Sequence, residues 1–276
     1  MSRKVSDLLL RYLTWIAAIA TFSILFFIIS YILVNGIPYL RPSLFELDYN
    51  TTNVSLMPAL ITTVMTVGLS LLIAVPLGVF AAVYLVEYAR RGNRLVQLVR
   101  VMAETLSGIP SIVYGLFGSL FFVVWLGWGF SLLAGSFTLA IMILPLVMRT
   151  TEESLKAVPD TYREGSFGLG VGRLRTVFRI VLPSAAPGIL AGVILAIGRI
   201  VGETAALIYT AGTMAQVPQS PMASGRTLAI HMYALSSEGL YTGQAYATAV
   251  VLLLVVMAIN ALSAYIAKKL TLGRDG

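Results

Sequence analysis

No cysteine occurs in the 276 residues, and histidine occurs once, at His231. A disulfide framework, a thiolate metal site and a histidine-rich metal cluster are therefore excluded, and a histidine-dependent triad has a single residue to build on. Charge is scarce as well: 11% of residues are Asp, Glu, Lys or Arg, against about 25% in soluble chains. The GxxxxGK[ST] sequence of a phosphate-binding loop is missing, so the chain is not expected to bind ATP itself. No internal repeat or low-complexity tract interrupts it. What is present is apolar, with 58% hydrophobic residues and a mean hydropathy of +0.89. The net charge of +7 could serve nucleic acid, but its distribution points to a membrane instead, and no nucleic acid partner is expected.

A helix needs about twenty apolar residues to cross the bilayer core. Six segments meet that test, at 12–34, 58–86, 109–126, 130–147, 188–211 and 244–267. The first lacks a small-x-small cleavage site at a suitable distance and reads as a retained anchor. Pro76 and Pro145 fall inside the second and fourth, where each removes a backbone donor and favours a kink. With the N-terminus inside, sixteen of the nineteen basic residues are internal, including Arg90, Arg91, Arg94, Arg100, Lys268, Lys269 and Arg274. Only Arg41 and Arg226 are external, and Arg199 is left within a span. By the positive-inside rule both termini are expected in the cytoplasm. Trp125, Trp128, Tyr39 and Tyr49 fall near the expected interfaces, where amphipathic rings commonly sit. The organisation read from this is a first helix with its external connection (1–57), a membrane domain with a large cytoplasmic loop at 148–187 (58–267), and a cytoplasmic tail (268–276). Smaller connections at 87–108 (internal) and 212–243 (external) complete it.

The cytoplasmic loop carries a spaced pattern. Residues 164–183 read EGSFGLGVGRLRTVFRIVLP: Glu164, two small residues at Gly165 and Ser166, Gly170 four positions later, then Ile180, Leu182 and Pro183. Upstream, Glu152 and Lys156 form a favourable i,i+4 pair at the end of the fourth helix, and Pro159 stops it. Asp160 is placed to cap a short helix over 161–169 that ends at Gly170, where a left-handed residue is easiest for glycine. A second helix over 173–181 is expected before Pro183, giving a hairpin that stands off the membrane. The pattern resembles the loop by which permease subunits of ABC importers dock onto their ATPases: Glu-Ala-Ala, a glycine, then Ile-x-Leu-Pro. Gly165 and Ser166 replace the two alanines but keep them small. The resemblance implies that Glu164, Gly165, Ser166, Gly170, Ile180, Leu182 and Pro183 dock onto an ATPase carried by another chain.

The fifth segment contains GRIVGETAAL, with Arg199 and Glu203 four residues apart. On a continuous helix that spacing puts them on one face, able to pair. An arginine at the bilayer centre costs on the order of 2.5–3.5 kcal/mol on insertion scales, so such residues face the bundle interior or a watery cavity. Two readings stand: a structural pair that fixes helix packing, or an anion site in which the guanidinium recognises phosphate and Glu203 prevents a permanent trap. Arg-x-x-Gly-Glu-Thr-Ala, and the span GFSLLAGSFTLAIMILPLVMRTTEESLKAVP before the loop, are similar to the permeases of the bacterial phosphate-specific ABC importer. The similarity is closer to the A-type (PstA) than to the paired C-type (PstC) subunits and covers residues 55–267. Ala206 stands where that family frequently has proline.

The resemblance implies an all-α membrane protein with six transmembrane helices and the type I, MetI-like permease fold. It also implies that Arg199 and Glu203 lie on the substrate pathway, with no metal site. Its implied partners are a PstC-like second permease, a PstB-like ATPase dimer holding ATP and Mg, a PstS-like extracytoplasmic phosphate-binding protein, and membrane lipid. No cofactor is expected in this chain. The same machinery serving phosphonate, molybdate or sulfate is the alternative. An intramembrane enzyme fails for want of HExxH, a cysteine or a pair of membrane aspartates, and a stand-alone carrier has no use for the docking hairpin. Arg226 and His231, in the second external connection, are expected to be solvated at the membrane surface, with contact to a binding protein or help to an incoming anion as the other reading. Ser107-Gly108-Ile109-Pro110-Ser111 marks either a break before helix three or its start.

Overall fold

Backbone amides have no water to bond inside a bilayer, so apolar runs are driven into helices. The computed structural model describes residues 3–90 and 92–272, and among these all the regular structure is helical, without strands. In chain order the helices are α1 (Arg3–Gly36), α2 (Met57–Tyr88), α3 (Arg94–Ser107), α4 (Ser111–Trp125) and α5 (Leu132–Lys156). They continue as α6 (Asp160–Gly168), α7 (Arg173–Val201), α8 (Ala205–Ile208), α9 (Leu228–Glu238) and α10 (Thr242–Leu272). Helices α1, α2, α5, α7 and α10 are each long and apolar enough to span a membrane, and α3 with α4 makes a sixth candidate, bent by 102°. Arg91, Arg274 and the end of the expected tail (273–276) lie outside the described residues.

Two expected spans are corrected. The connection 87–108 is not a plain loop, because α3 fills most of it and meets α4 at a sharp corner. Gly108 and Pro110 make the corner: proline has no N–H to continue a helix and instead sits immediately before the first residue of α4. The Tyr114 hydroxyl donates to the carbonyl of Leu106 (2.7 Å) and pins the corner shut. The fifth span, expected over 188–211, begins at Arg173 and ends at Val201. It passes Pro183 and Pro187 because a wide π-helical turn at Val177–Val181 precedes them, loosening the hydrogen-bond ladder just where Pro183 offers no donor.

The centre of the bundle is α5, packed against α2 on one side and α7 on the other. Close approach depends on missing side chains, as is usual between membrane helices. A Cβ on Gly78 would strike Val147, and Cβ atoms on Gly188 and Gly192 would strike Ser154 and Thr150. The last two are a GxxxG pair on α7, facing two residues one turn apart on α5. Hydroxyls in this region return to their own helices: Thr62, Thr66, Thr138 and Thr150 each donate to the carbonyl four residues earlier. Ser70 donates across to the carbonyl of Ser136 at 3.2 Å. Leu139, Met142, Ile143, Ile200, Leu207 and Ile230 close the apolar core around them. By contrast α1 packs chiefly on α10 and keeps its apolar surface exposed along its length.

At 32 and 29 residues, α2 and α7 are about 48 and 44 Å long at 1.5 Å per residue, well beyond the ~30 Å hydrocarbon core. Their surplus forms the base on which α6 stands. The connection between α1 and α2 folds back on itself, with Ser55 donating to the carbonyls of Leu44 and Glu46 and Asn53 donating to the Glu46 carboxylate. The connection before α5 and the one after α8 are zipped together by Ser131 N–H to Thr210 and Leu132 N–H to Ala223. Orientation is testable on this frame because Leu47, Ser220, Arg94 and Leu169 are all exposed. Single cysteines at 47 and 220 should react with a membrane-impermeant maleimide in intact cells. Those at 94 and 169 should react only after permeabilisation; the reverse pattern would invert the topology.

Candidate functional site

The docking pattern folds into a hairpin. Helix α6 ends at Gly168, and Gly170 takes a left-handed φ of +77° to turn the chain toward α7. Backbone bonds from Gly170 to Phe167 (2.9 Å) and Val171 to Ser166 (3.1 Å) close that turn. Two expectations change in detail. Asp160 makes no cap bond; it opens the helix with its carboxylate taken by Arg163 (3.1 Å). The helix after Gly172 does not stop before Pro183 but is the start of the spanning α7, so the hairpin is continuous with the bundle.

The docking residues separate into two sets. Gly165, Ser166, Ile180 and Pro183 line one open concavity of about 510 Å³, with Tyr162 and Leu169 on its rim. Glu164 is exposed beside it, and a Cβ added to Gly165 would meet nothing within 4 Å. Smallness at 165 therefore answers no need of this chain and leaves room for another. Ser166 is different: it is buried, and its hydroxyl shares a hydrogen bond with Thr176 (2.8 Å), tying the two arms of the hairpin together. Leu182 turns inward against the cluster of Val177, Val181 and Leu155 and is structural.

The joint that fixes the hairpin lies outside the motif. Glu87, at the C-terminal end of α2, is 5% exposed, and Arg163 reaches it with Nη2 at 2.7 Å and Nε at 3.1 Å. The same guanidinium donates to the carbonyls of Leu155 (2.9 Å) and Val158 (2.8 Å). One side chain thereby ties α2, the end of α5 and α6 together, and Glu87 holds the Arg163 proton more firmly than usual. A second buried carboxylate, Glu152, pairs with Lys156 as expected (2.6 Å) and also with Arg100 of α3 (2.7 Å). Sequence reading assigned Arg100 to topology and passed over Glu87. The available signal was an acid at the end of a long apolar run, where burial forces a search for a cation.

Arg199 and Glu203 do not form the expected pair. The helix ends at Val201, with Arg199 in its last turn, and the chain breaks over 202–204. Glu203 lies in that break and accepts the backbone N–H of Ala206 (3.1 Å), closing the start of α8. Among the described residues no carboxylate lies within ion-pair distance of half-buried Arg199; its charge reaches the phenol of Tyr114. Thr204, Ala205 and Ile208, just beyond the break, line a largely apolar cavity of about 850 Å³ shared with α1, α4, α9 and α10.

Arg226 and His231 are not solvated, against expectation. They are 6% and 0% exposed, held under Tyr49 where the α1–α2 connection meets the start of α9. Burial first, and the Arg226 charge second, hold the imidazole at a pKa of about 3, so it is neutral.

Residues 74–272 match the family described as binding-protein-dependent transport system inner membrane component. The chain is 34% identical over 260 residues to the probable ABC transporter permease protein YqgI of Bacillus subtilis, covering 87% of this chain and 86% of that protein. It is 35% identical over 267 residues to the phosphate transport system permease protein PstA of Haemophilus influenzae, covering 94% and 92%. With PstA 1 of Mycobacterium tuberculosis the identity is 42% over 154 residues, 56% of this chain and 50% of that protein. A chain of the bacterial ABC transporter that imports alginate superposes with a TM-score of 0.69 at 16% identity, over 97% of this chain and 99% of that one. A chain of the MetNI methionine ABC transporter does so at 0.60 and 20%, over 78% and 94%. At such identities the likeness speaks for the fold. Fold and relatives together define the class, the membrane-spanning permease of an ABC importer. The chain belongs to the family of binding-protein-dependent transport system inner membrane components, in its PstA-type branch, and is a multi-pass protein of the inner membrane.

Removing one member of a buried ion pair costs about 3–5 kcal/mol, because the other is left charged and alone. Glu87→Gln and Arg163→Gln should each lower the melting temperature of the purified subunit. Arg163→Gln should cost more, since it also strands two carbonyls. The double variant should be less harmed than the sum of the two; additive losses in a thermal-shift cycle would dissolve the joint.

Proposed function

We propose that this chain carries inorganic phosphate across the cytoplasmic membrane as one of two permease subunits of an ATP-driven importer, by alternating access. Its partners in this reading are a PstC-like second permease, a PstB-like ATPase dimer that holds ATP and Mg, and a PstS-like phosphate-binding protein outside. The observation that carries it is the guanidinium of Arg199, set in an apolar helix with no carboxylate within ion-pair distance among the described residues. An anion crossing a low-dielectric bundle needs a compensating cation, and arginine offers a planar fork that matches two phosphate oxygens. The PstA relative of Haemophilus influenzae, a phosphate transport permease by name and matched over 92% of its length, supports phosphate as the substrate. Glu203 serves here by holding the break open rather than by competing for the guanidinium.

ATP hydrolysis on the partner is felt through the hairpin. Glu164 and the concavity at Gly165, Ile180 and Pro183 receive the ATPase, and the Ser166–Thr176 bond and the Arg163–Glu87 joint keep the hairpin from flexing under load. A rigid lever passes motion to α2 and α7; a loose loop would absorb it.

Two sets of variants test this. Arg199→Gln should assemble normally with its partners yet lose uptake of radiolabelled phosphate, and Arg199→Lys should recover only part. Glu203→Gln should be milder, because an amide oxygen still accepts from Ala206. Normal uptake by Arg199→Gln would place the pathway elsewhere, and failure to assemble would make the residue a packing element.

Gly170→Leu should insert but neither retain the ATPase on purification nor transport. A left-handed non-glycine residue costs roughly 1–2 kcal/mol, and the strain would re-aim α6. Full ATPase recovery with that variant would count against the docking role.

A further inference from the structure

Seven enclosed side-chain nitrogen and oxygen atoms lack a hydrogen-bond partner among the described residues, and five of them belong to Arg226, Thr227 and His231. Such groups are rare in a folded protein and call for a ligand, an ion or water to complete them. The three residues are 6%, 2% and 0% exposed, so their polar atoms are enclosed. No carboxylate lies within ion-pair distance of Arg226 among the described residues. The Tyr49 ring lies 4.6 Å from the guanidinium carbon and 6.1 Å from the imidazole, which it meets edge to face.

The pattern of what is free is informative. Tyr49 occupies a face of the guanidinium and leaves its in-plane donors untouched. The two unpartnered nitrogens, Nε and Nη2, form the edge that grips an oxyanion with two parallel hydrogen bonds. The Thr227 hydroxyl supplies a further donor. The neutral imidazole of His231 has one nitrogen that donates and one that accepts, so it suits an anion that still carries a proton. The floor is fixed by backbone bonds from Gly225 to Ala211, Arg226 to Met214, and Leu228 to the Thr63 hydroxyl. The roof is tied from other segments: exposed Gln216 donates to the carbonyl of Tyr49 (3.1 Å), Tyr241 donates to that of Thr51 (3.1 Å), and Tyr49 packs on Val54, Leu235 and Ala245.

We propose that Arg226, Thr227 and His231 form a second oxyanion site at the outer mouth of the permease, covered in this state by Tyr49. The ligand class is a hydrogen-bearing tetrahedral oxyanion, preferred over one without a proton, because the accepting imidazole nitrogen has nothing to bind on a fully deprotonated ligand. The site rests on the phosphate reading for its direction of use but is tested apart from it.

The chain has no cysteine of its own, so Tyr49→Cys places the sole thiol of this subunit over the site. The assembled complex, purified without its binding protein, is labelled with maleimide in inorganic phosphate, sulfate or chloride at equal ionic strength. Phosphate at about ten times its half-saturating level should slow labelling roughly tenfold by mass action, sulfate should do less, and chloride should do nothing. Arg226→Gln in the same background should abolish the protection; if that variant does not assemble, Arg226→Lys should weaken it sharply by losing the fork. Equal rates in phosphate and chloride, or protection that survives both substitutions, would overturn the site and leave Arg226 to packing or to a carboxylate of another subunit. Protection by phosphate in a complex that takes up none would sustain the site and sink the transport reading; uptake without protection would do the opposite.

Discussion

The packing of α5 between α2 and α7 is the contact on which the rest of the molecule depends. Water does not drive helices together inside a bilayer, so association rests on close fit, and fit requires small residues on one side of each seam. Gly78 on α2 and the Gly188–Gly192 pair on α7 supply it, and each would bring a side chain into α5 if replaced by alanine. Because α5 is held on both sides, its C-terminal end is a fixed point. Glu152 projects from that end to collect Arg100, and Leu155 offers its carbonyl to Arg163. Helices α3 and α6 are therefore both hung from the same helix terminus.

Two buried carboxylates then do what apolar packing cannot at a water-facing surface. A hydrophobic contact permits sliding, whereas Arg163 with four named acceptors, Glu87, Asp160 and the two carbonyls, permits one pose. The π-helical turns at the end of α2 and the start of α7 lie beside this joint. Glu87 itself sits in the first of these wide turns, so the joint clamps a stretch of helix whose own ladder is loosened.

Much of this was legible in the residues. The five long helices each overlap an expected apolar run, though the fifth starts and ends earlier than expected, and the left-handed turn at Gly170, the stop at Pro159 and the Glu152–Lys156 pair follow from local chemistry. What was hidden was set by distant partners or masked by composition. The break after Val201 is followed at once by Ala-Ala-Leu-Ile, so hydropathy runs on across it and Arg199 and Glu203 appear to share a helix. The α3–α4 corner is written in Gly108 and Pro110, but its angle depends on Tyr114 reaching back to Leu106. The burial of Arg226 and His231 depends on Tyr49, far away in the chain, and no local pattern announces that meeting. The docking residues were visible as a set, yet their division into outward (Gly165, Ile180, Pro183) and inward (Ser166, Leu182) members needed the folded hairpin.

The interruption of α7 has a consequence for how tightly an anion can be held. At the end of the span the aligned peptide dipoles sum to about half a negative charge, even though the carbonyls of Gly198 and Ile200 are taken by the N–H groups of Gly202 and Glu203. Arg199 lies in that last turn, so its positive field is partly cancelled by the backbone it is mounted on. Irregular backbone at membrane depth persists only where protein or water satisfies it. On the phosphate reading proposed above, an anion arriving there exchanges one hydrated surrounding for another that is moderately positive, and the well it enters is shallow. Release then needs no competing carboxylate, because the end of the helix already loosens the grip.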